Sequence, residues 1–179
     1  MQKLTVEELN RISIENFREA KKLPLVVVLD NIRSLHNVGS VFRTADAFRL
    51  EGIFLCGITA TPPAIEIHKT ALGAEDSVEW KYEEKTIDAV TKLKEEGYVV
   101  LALEQVKESK MLDKYKFEGS KKYAIILGNE VKGVQQEVVD ACNDTIEIPQ
   151  YGTKHSLNVS VSAGIAIWEV FFQLRERLM

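Results

Sequence analysis

Polar residues that could bind a small ligand lie together near the C-terminal end of the chain, between an apolar strand and an apolar helix. The segment 145–166 reads TIEIPQYGTKHSLNVSVSAGIA, and Ser156 and Asn158 stand where the helix is predicted to begin. Side-chain oxygens and free backbone N–H groups at a helix start suit a polar or anionic ligand. The same two residue types are also typical of ordinary helix caps, so the pattern alone leaves both interpretations open.

Two further segments carry residue types that suit chemistry on an anionic substrate. Asn37 and Arg43 lie in NVGSVFR, and Gly128 and Glu130 lie in GNEVKG. An arginine can clamp a phosphate through two parallel hydrogen bonds, and a glycine lets a ligand approach the backbone closely. Three of these residues also have a structural explanation: Asn37 as a helix cap, Arg43 as a surface charge, and Glu130 as a carboxylate at a helix start.

Familiar small-molecule motifs are absent from the sequence. No G-x-G-x-x-G follows a predicted strand, and GNEVKG lacks the spacing and the terminal Ser or Thr of a P-loop. Metal-ligand spacings are also missing, and His36, His68 and His155 have no obvious nucleophile or metal partner. We therefore expect neither a metal site nor an ordinary dinucleotide site.

The elements that must position these residues alternate between strands and helices, which predicts a parallel α/β sheet. Apolar segments predict strands at 25–30, 52–56, 78–82, 98–103, 123–127 and 146–148. Helical spacing and caps predict helices at 5–22, 38–50, 61–72, 84–96, 134–142 and 156–178. Polar loops follow the first, fourth, fifth and sixth strands, and ligands of open α/β sheets bind beyond the carboxyl ends of strands.

The composition favours one globular domain in the cytoplasm. Apolar residues make up 45% of the 179, and 23 Lys and Arg against 27 Asp and Glu give a net charge of −4. This balance argues against a general polyanion binder, because phosphate contacts need positive charge, but it is compatible with a local basic patch. No apolar run approaches a membrane span, and the N-terminus lacks a signal-peptide core. Cys56 and Cys142 are typical of reduced thiols.

Three blocks of the sequence, in this order, resemble the SpoU family of RNA 2′-O-ribose methyltransferases, within the SPOUT class. The blocks are NVGSVFRTADAF at 37–48, ILGNEVKGV at 126–134 and IPQYGTKHSLNVSVSAGIA at 148–166. The resemblance covers about residues 24–170. It departs from the family pattern at Gln150, where many members carry methionine after Ile-Pro.

The resemblance implies a parallel-sheet SPOUT fold with a C-terminal trefoil knot, a rare exception to the usual connection rules. Residues 25–179 would form the methyltransferase domain, after a short helical extension at 1–24. The implied cofactor is S-adenosylmethionine, and the positions that would surround it are Leu103, Gly128, Ile148, Ser156 and Leu157. The positions that would form the reacting site are Asn37, Arg43, Glu130, Ser156 and Asn158.

The resemblance assigns Arg43 the removal of a proton from the ribose 2′-hydroxyl, which is physically demanding. Lowering the pKa of a guanidinium from ~12.5 to ~7 costs roughly 7 kcal/mol. We therefore interpret Arg43 as a phosphate clamp that stabilises the developing alkoxide, and we leave the proton acceptor open. In this interpretation Asn37 orients Arg43 or the ribose, and Glu130 holds the loops in place.

The resemblance also implies an RNA substrate and a homodimer. The apolar residues Ile165, Trp168, Phe171 and Phe172 could supply part of the dimer interface or, equally, part of the core. We favour tRNA over rRNA, because the chain shows no separate RNA-binding domain. Candidate phosphate contacts are Arg11, Arg18, Lys21, Lys22, Arg33, Lys69, Lys132 and Lys154. Two alternatives stay open: a non-catalytic RNA-binding or assembly protein that keeps the knotted fold, and a base methyltransferase of the same class.

Overall fold

Seven strands form one sheet, in which every strand pair among the described residues is parallel. The computed structural model describes residues 1–5 and 7–179; Val6, inside the helix predicted at 5–22, lies outside this description. The strands are β1 (Leu23–Asp30), β2 (Leu50–Cys56), β3 (Trp80–Glu83), β4 (Tyr98–Leu103), β5 (Lys110–Met111), β6 (Lys122–Leu127) and β7 (Asp144–Glu147). Their order across the sheet is β3-β2-β1-β6-β4-β7-β5. The predicted parallel α/β architecture is confirmed.

Helices cover both faces of this sheet. They are α1 (Ile14–Glu19), α2 (Leu35–Ala47), α3 (Ile65–Ala71), α4 (Ala74–Ser77), α5 (Thr86–Glu95), α6 (Gln136–Ala141) and α7 (Val159–Leu174), with 3-10 turns at Leu112–Lys114 and Arg175–Leu178. Leu25, Val27 and Leu29 of β1 pack on the side of α2 and α7, while Val26 and Val28 pack on the side of α5 and α6. Burial on both faces explains the continuous apolar run of β1. None of the described helices is long and apolar enough to cross a membrane.

The helix predicted at 5–22 is wrong over most of its length. Thr5 and Glu8 form a reciprocal capping pair, with N···O distances of 2.7 and 3.3 Å. Asn10 then adopts a left-handed conformation with φ of 50°, which ends the turn. The Ser13 side chain caps a new, shorter helix, α1.

Helix α2 begins earlier than predicted, because the Ser34 hydroxyl accepts a hydrogen bond from the Asn37 N–H at 3.3 Å. Ser34 is therefore the cap, and the structural explanation of Asn37 as a cap is wrong. Helix α7 begins at Val159, which leaves Ser156 in the preceding loop rather than in the helix. Helix α4 and strand β5 were not predicted, since elements of 4 and 2 residues are too short to show a periodic pattern.

The order of the strands brings the four polar loops to one place. Strands β1, β6, β4 and β7, which precede these loops, are consecutive neighbours in the sheet. Their carboxyl ends are level, because Leu127 pairs with Leu29 on one side and with Leu103 on the other, and Leu103 also pairs with Ile146. From this edge the chain continues into α7, which packs against α2. The trefoil knot itself stays a prediction.

The two cysteines are free thiols with raised pKa values. Cys56 is buried and Cys142 is half-buried. Burial raises the pKa of both thiols to about 12, and the nearby Asp30 carboxylate adds to this effect at Cys56. Across residues 1–5 and 7–179, no group of three or more His, Cys, Asp or Glu side chains could hold a metal ion.

Candidate active site

A cleft of about 680 Å³ opens at the carboxyl edge of the sheet, within the size range of small-molecule sites. Its walls are the ends of β4, β6 and β7, the loop 128–134, and the segment that leads into α7. All five predicted cofactor residues line it: Leu103, Gly128, Ile148, Ser156 and Leu157. Two other predicted site residues, Glu130 and Asn158, line it as well.

Gly128 is required by the packing of the loop itself. A Cβ atom at this position would lie 2.1 Å from the carbonyl carbon of Gly133 and 2.1 Å from the backbone nitrogen of Val134. The sequence suggested that this glycine lets a ligand approach the backbone. The structure gives a different reason, because the chain's own backbone already occupies that space.

Asn129 folds the loop 128–134 back on itself. Its backbone exchanges two hydrogen bonds with Gly133, at 3.1 and 2.9 Å. Its side-chain Oδ1 accepts from the Val131 and Lys132 N–H groups, and its Nδ2 donates to the Asn31 carbonyl at 2.7 Å. The sequence interpretation missed Asn129, although an asparagine after a glycine at a strand end is a recognisable turn signal.

Glu104 holds the same loop from the neighbouring strand β4. Its Oε2 accepts the Val134 N–H at 2.9 Å, and its Oε1 accepts the Gln105 N–H at 2.9 Å. Gly133 adopts a φ of 70°, and a Cβ there would lie 2.2 Å from the Glu104 Oε2 atom. This role was also missed, because it depends on which strands are neighbours.

A second carboxylate fixes the far end of the loop against the start of α2. Glu130 accepts hydrogen bonds from the Arg33 and Ser34 N–H groups at 2.9 and 3.0 Å and from the Asn37 side-chain amide at 3.1 Å. Burial raises the pKa of Glu130, but the hydrogen bonds from Arg33, Ser34, its own backbone and Asn37 outweigh it and bring the pKa below its ordinary value. Glu130 thus lies at a helix start, but the helix is α2 rather than the helix that follows it in sequence, since α6 begins only at Gln136.

Asn158 extends this network to α7. Its Nδ2 donates to the Asn37 Oδ1 at 3.2 Å, and its own Oδ1 accepts the Ser160 N–H at 2.9 Å. Asn158 thus caps α7 and holds α2 at the same time. The chain Glu130–Asn37–Asn158 connects one residue from each of the three sequence blocks.

Buried Asp30 anchors the end of the loop to β1 and was missed by the sequence interpretation. Its Oδ2 accepts the Gln135 N–H at 3.0 Å, and its Oδ1 accepts the Thr86 hydroxyl at 2.5 Å and the Asn31 side-chain amide at 2.8 Å. A buried carboxylate with three donors is well satisfied. It fixes the loop, β1 and the start of α5 relative to one another.

Arg43 lies apart from this network. It is exposed on α2 and forms no hydrogen bond or ion pair with a described residue, and it does not line the cleft. Ser156 is likewise exposed, in the loop before α7. The structure therefore joins Glu130, Asn37 and Asn158 by direct hydrogen bonds and leaves these two side chains free.

The candidate phosphate contacts differ in their surroundings. Lys22 donates to the Arg18 and Ala20 carbonyls at 3.2 Å, whereas Arg11 and Lys21 are exposed. Arg18 donates to the Asp76 carbonyl at 2.8 Å, and Lys69 pairs with Glu66 at 2.9 Å, so both are occupied. Others are exposed at the cleft: Lys132 lines it, Lys154 lies in the loop beside it, and the Arg33 backbone contacts Glu130.

Negative charge predominates in the cleft. Glu104, Glu130 and Glu147 line it, against one lysine, Lys132. The hydrogen bonds to Glu104 and Glu130 satisfy their oxygens without removing their charge. The interior of the cleft therefore suits a ligand that carries positive charge. The basic side chains exposed around it could contact a polyanion.

Similarity to known proteins extends over most of the chain. It matches the SpoU rRNA Methylase family over residues 24–168. It is 30% identical, over 86% of its length, to a Staphylococcus aureus protein of the TrmH tRNA/rRNA methyltransferase family, of which it spans only 61%. It is 32% identical, over 90% of its length, to the tRNA (guanosine(18)-2'-O)-methyltransferase of Aquifex aeolicus, of which it spans 75%. An AdoMet-bound rRNA methyltransferase from Sinorhizobium meliloti has the same fold, with a TM-score of 0.79 at 28% identity, over 88% of this chain and 60% of that one.

Proposed function

Because the chain belongs to the SpoU rRNA methylase family, we propose that it transfers a methyl group from S-adenosylmethionine to a ribose 2′-hydroxyl of RNA. The observation that carries the proposal is the hydrogen-bonded chain Glu130–Asn37–Asn158 at the cleft. It brings together the three blocks of the sequence that resemble the family. Similarity of fold alone would be a weaker argument, because one fold can host many functions.

The residues of the cleft fit S-adenosylmethionine. Leu103, Ile148 and Leu157 offer apolar contacts to an adenosyl group, and the carboxylates of the cleft balance the positive charge of a sulfonium and an ammonium group. When bound, this cofactor supplies an electrophilic methyl group. The backbone of the loop 128–134, held rigid by Glu104 and Asn129, would give the cofactor a preformed wall.

We assign Arg43 to the phosphate next to the target ribose. Its guanidinium is exposed and has no partner among the described residues, so it is available to clamp that phosphate and stabilise charge on the attacking oxygen. Ser156 is exposed beside the cleft and would contact the RNA. Both polar atoms of the Asn37 side-chain amide are hydrogen-bonded within the protein, Nδ2 to Glu130 and Oδ1 to Asn158. We therefore assign Asn37, Glu130 and Asn158 to positioning α2 and the loops.

We further propose tRNA as the substrate and the cytoplasm as the place of action. The Aquifex relative is a tRNA 2′-O-methyltransferase, whereas the SpoU family is named for rRNA. The proposal of tRNA therefore rests on the similarity to the Aquifex protein. The free, buried thiol of Cys56 suits a reducing compartment.

We also propose a homodimer formed through α7. Four apolar side chains at helical spacing are exposed on it: Val161 (50%), Ile165 (38%), Trp168 (52%) and Phe172 (52%). Such a contiguous stripe favours a protein interface and a two-fold assembly. Phe171, for which interface and core were both open, packs on Phe48 with ring centroids 4.8 Å apart.

Labelled methyl transfer tests the proposed function. The purified protein is incubated with S-adenosylmethionine labelled on its methyl group and with bulk tRNA or rRNA, and the modified nucleotide is identified after digestion. Label in a 2′-O-methylated nucleoside of tRNA is the expected result. Label on a base would instead identify a base methyltransferase, and RNA binding without any label would favour a non-catalytic role.

A further inference from the structure

Tyr151 is the most exposed aromatic side chain among the described residues, with 97% of its surface accessible. Each of the other four tyrosines has a hydrogen-bond or ring partner: Tyr82 with Gly57, Tyr98 with Glu51, Tyr115 with Phe117, and Tyr123 with Glu118. Tyr151 has no hydrogen-bond, ring or cation partner among residues 1–5 and 7–179. Burial or a protein contact therefore does not explain why an aromatic ring stands at this position.

The ring lies in a loop whose two ends both line the cleft. Gln150 lines it on one side of Tyr151, and His155 lines it on the other. Space around the loop is open, since a Cβ added to Gly152 would meet no atom within 4 Å. Among the described residues, one hydrogen bond joins residues 150–155 to their surroundings: the His155 carbonyl accepts the Gln105 side-chain amide at 3.1 Å. Tyr151 thus stands at the mouth of the cleft with both faces of its ring free.

We propose that Tyr151 is a stacking platform for an unpaired base of the RNA substrate, next to the ribose presented to the cleft. The inference rests on the proposed function. A free aromatic face binds flat π systems, and every nucleobase offers one regardless of its sequence. Lys154, exposed in the same loop and without an ion pair to a described residue, is placed to contact the adjoining phosphate.

Stacking suits the geometry that ribose methylation demands. In a duplex the faces of a base are covered by its neighbours, so an external ring can reach a base only in a single-stranded or splayed segment. The attacking 2′-hydroxyl must also enter the cleft, and a splayed strand can turn toward the cleft more freely than a regular helix can. A ring at the mouth would hold the adjoining base in that splayed arrangement and favour loops over helical stems.

Two variants test this role. Tyr151→Ala removes the platform, whereas Tyr151→Phe keeps the ring and loses only the hydroxyl. With bulk tRNA as substrate, Tyr151→Ala should raise KM for RNA roughly 5- to 150-fold, and Tyr151→Phe should stay within about twofold of wild type. S-adenosylmethionine affinity, measured by calorimetry, should be unchanged in both variants. A short single-stranded RNA carrying one 2-aminopurine should lose fluorescence on binding wild type and Tyr151→Phe but not Tyr151→Ala.

The matched control is Tyr82→Ala, which removes a partly exposed tyrosine from β3 at the opposite side of the sheet. It should leave KM and quenching at wild-type values. The proposal would be overturned if Tyr151→Ala kept the KM and the quenching of wild type. It would also be overturned if Tyr151→Ala kept the wild-type KM but changed the sedimentation mass, because Tyr151 would then be an interface residue. Tyr151-dependent quenching in a protein that transfers no methyl group would uphold stacking and refute the proposed function.

Discussion

The Asn158 side-chain amide donates a hydrogen bond to the Asn37 Oδ1 at 3.2 Å, although the two residues are 121 positions apart in the chain. Asn37 in turn donates to Glu130, so each amide is fixed by a neighbour on a different element. The contact joins the first turn of α2 to the cap of α7. It adds a link between α2 and α7 to the contacts that Glu104, Asn129 and Asp30 make with the loop 128–134, and substitution can remove this link alone.

The two functions of Asn158 can be separated by substitution. Asn158→Asp should keep α7 capped, because aspartate caps as well as asparagine, but it cannot donate to the Asn37 Oδ1. We expect stability near wild type and methyl transfer reduced by roughly tenfold or more, because α2 is then misplaced. Asn158→Ala should lose the cap as well, at about 1 kcal/mol of unfolding free energy. Equal activity of wild type and Asn158→Asp would show that the contact is dispensable.

Glu130 predicts a dependence of stability on pH. Its pKa is lowered in the folded protein, so its contribution to stability is complete above the ordinary carboxyl pKa and is lost as pH falls through the lowered value. Glu130→Gln cannot accept from all three donors equally well. Melting temperatures should therefore differ most near neutral pH and converge as the pH falls below the ordinary carboxyl pKa. A constant difference between the two proteins over that range would contradict this assignment.

The packing around Gly128 predicts a loss of both fold stability and cofactor affinity. In Gly128→Ala the new methyl group would overlap the backbone of Gly133 and Val134, both 2.1 Å from the Cβ position. Overpacking of this kind costs roughly 1–3 kcal/mol. Gly152→Ala is the control, because a Cβ there meets no atom within 4 Å. Thermal melts and calorimetric titration with S-adenosylmethionine should show losses for Gly128→Ala and none for Gly152→Ala. A Gly128→Ala variant with wild-type stability and affinity would mean that the loop can move to accept the methyl group.

Arg43 should matter to chemistry and little to folding. Because it is exposed and forms no hydrogen bond with a described residue, Arg43→Ala should keep the melting temperature and the cofactor affinity of wild type. Methyl transfer should fall by a factor on the order of 10² or more. Arg43→Lys should also be poor, because an ammonium group cannot reproduce the two-pronged phosphate contact. Near-normal turnover of the alanine variant would remove Arg43 from the mechanism.

The exposed stripe of α7 predicts a dimer that one charge can disrupt. Ile165→Glu places an unpaired carboxylate in the proposed interface and should convert the protein to monomer in sedimentation velocity runs. Ile58→Glu, at a residue that is 66% exposed in the loop after β2, serves as the control and should leave the mass unchanged. A wild-type protein that is monomeric at all concentrations would eliminate the proposed interface.

Local patterns predicted the fold class, because the alternation of strands and helices was enough for the parallel sheet. The family resemblance, rather than a local pattern, placed Leu103 and Ile148 at the cleft that they line. Strand order could not be predicted, since pairing depends on contacts between distant segments rather than on local periodicity. The roles of Glu104 and Asp30 were missed for that reason: each carboxylate binds a loop that only the tertiary structure brings near.

The dependence of the cleft on Asn158 also affects how activity arises during synthesis. All seven strands precede Asn158 in the chain, so a nascent polypeptide can pair the whole sheet before the residue that caps α7 has left the ribosome. Until then α2 lacks its contact at Asn37, and the cleft lacks the wall formed by the segment leading into α7. A partly made chain would also lack the part of the core that α7 supplies. The cleft and the core on that face of the sheet would therefore be completed together, when the last helix packs against α2.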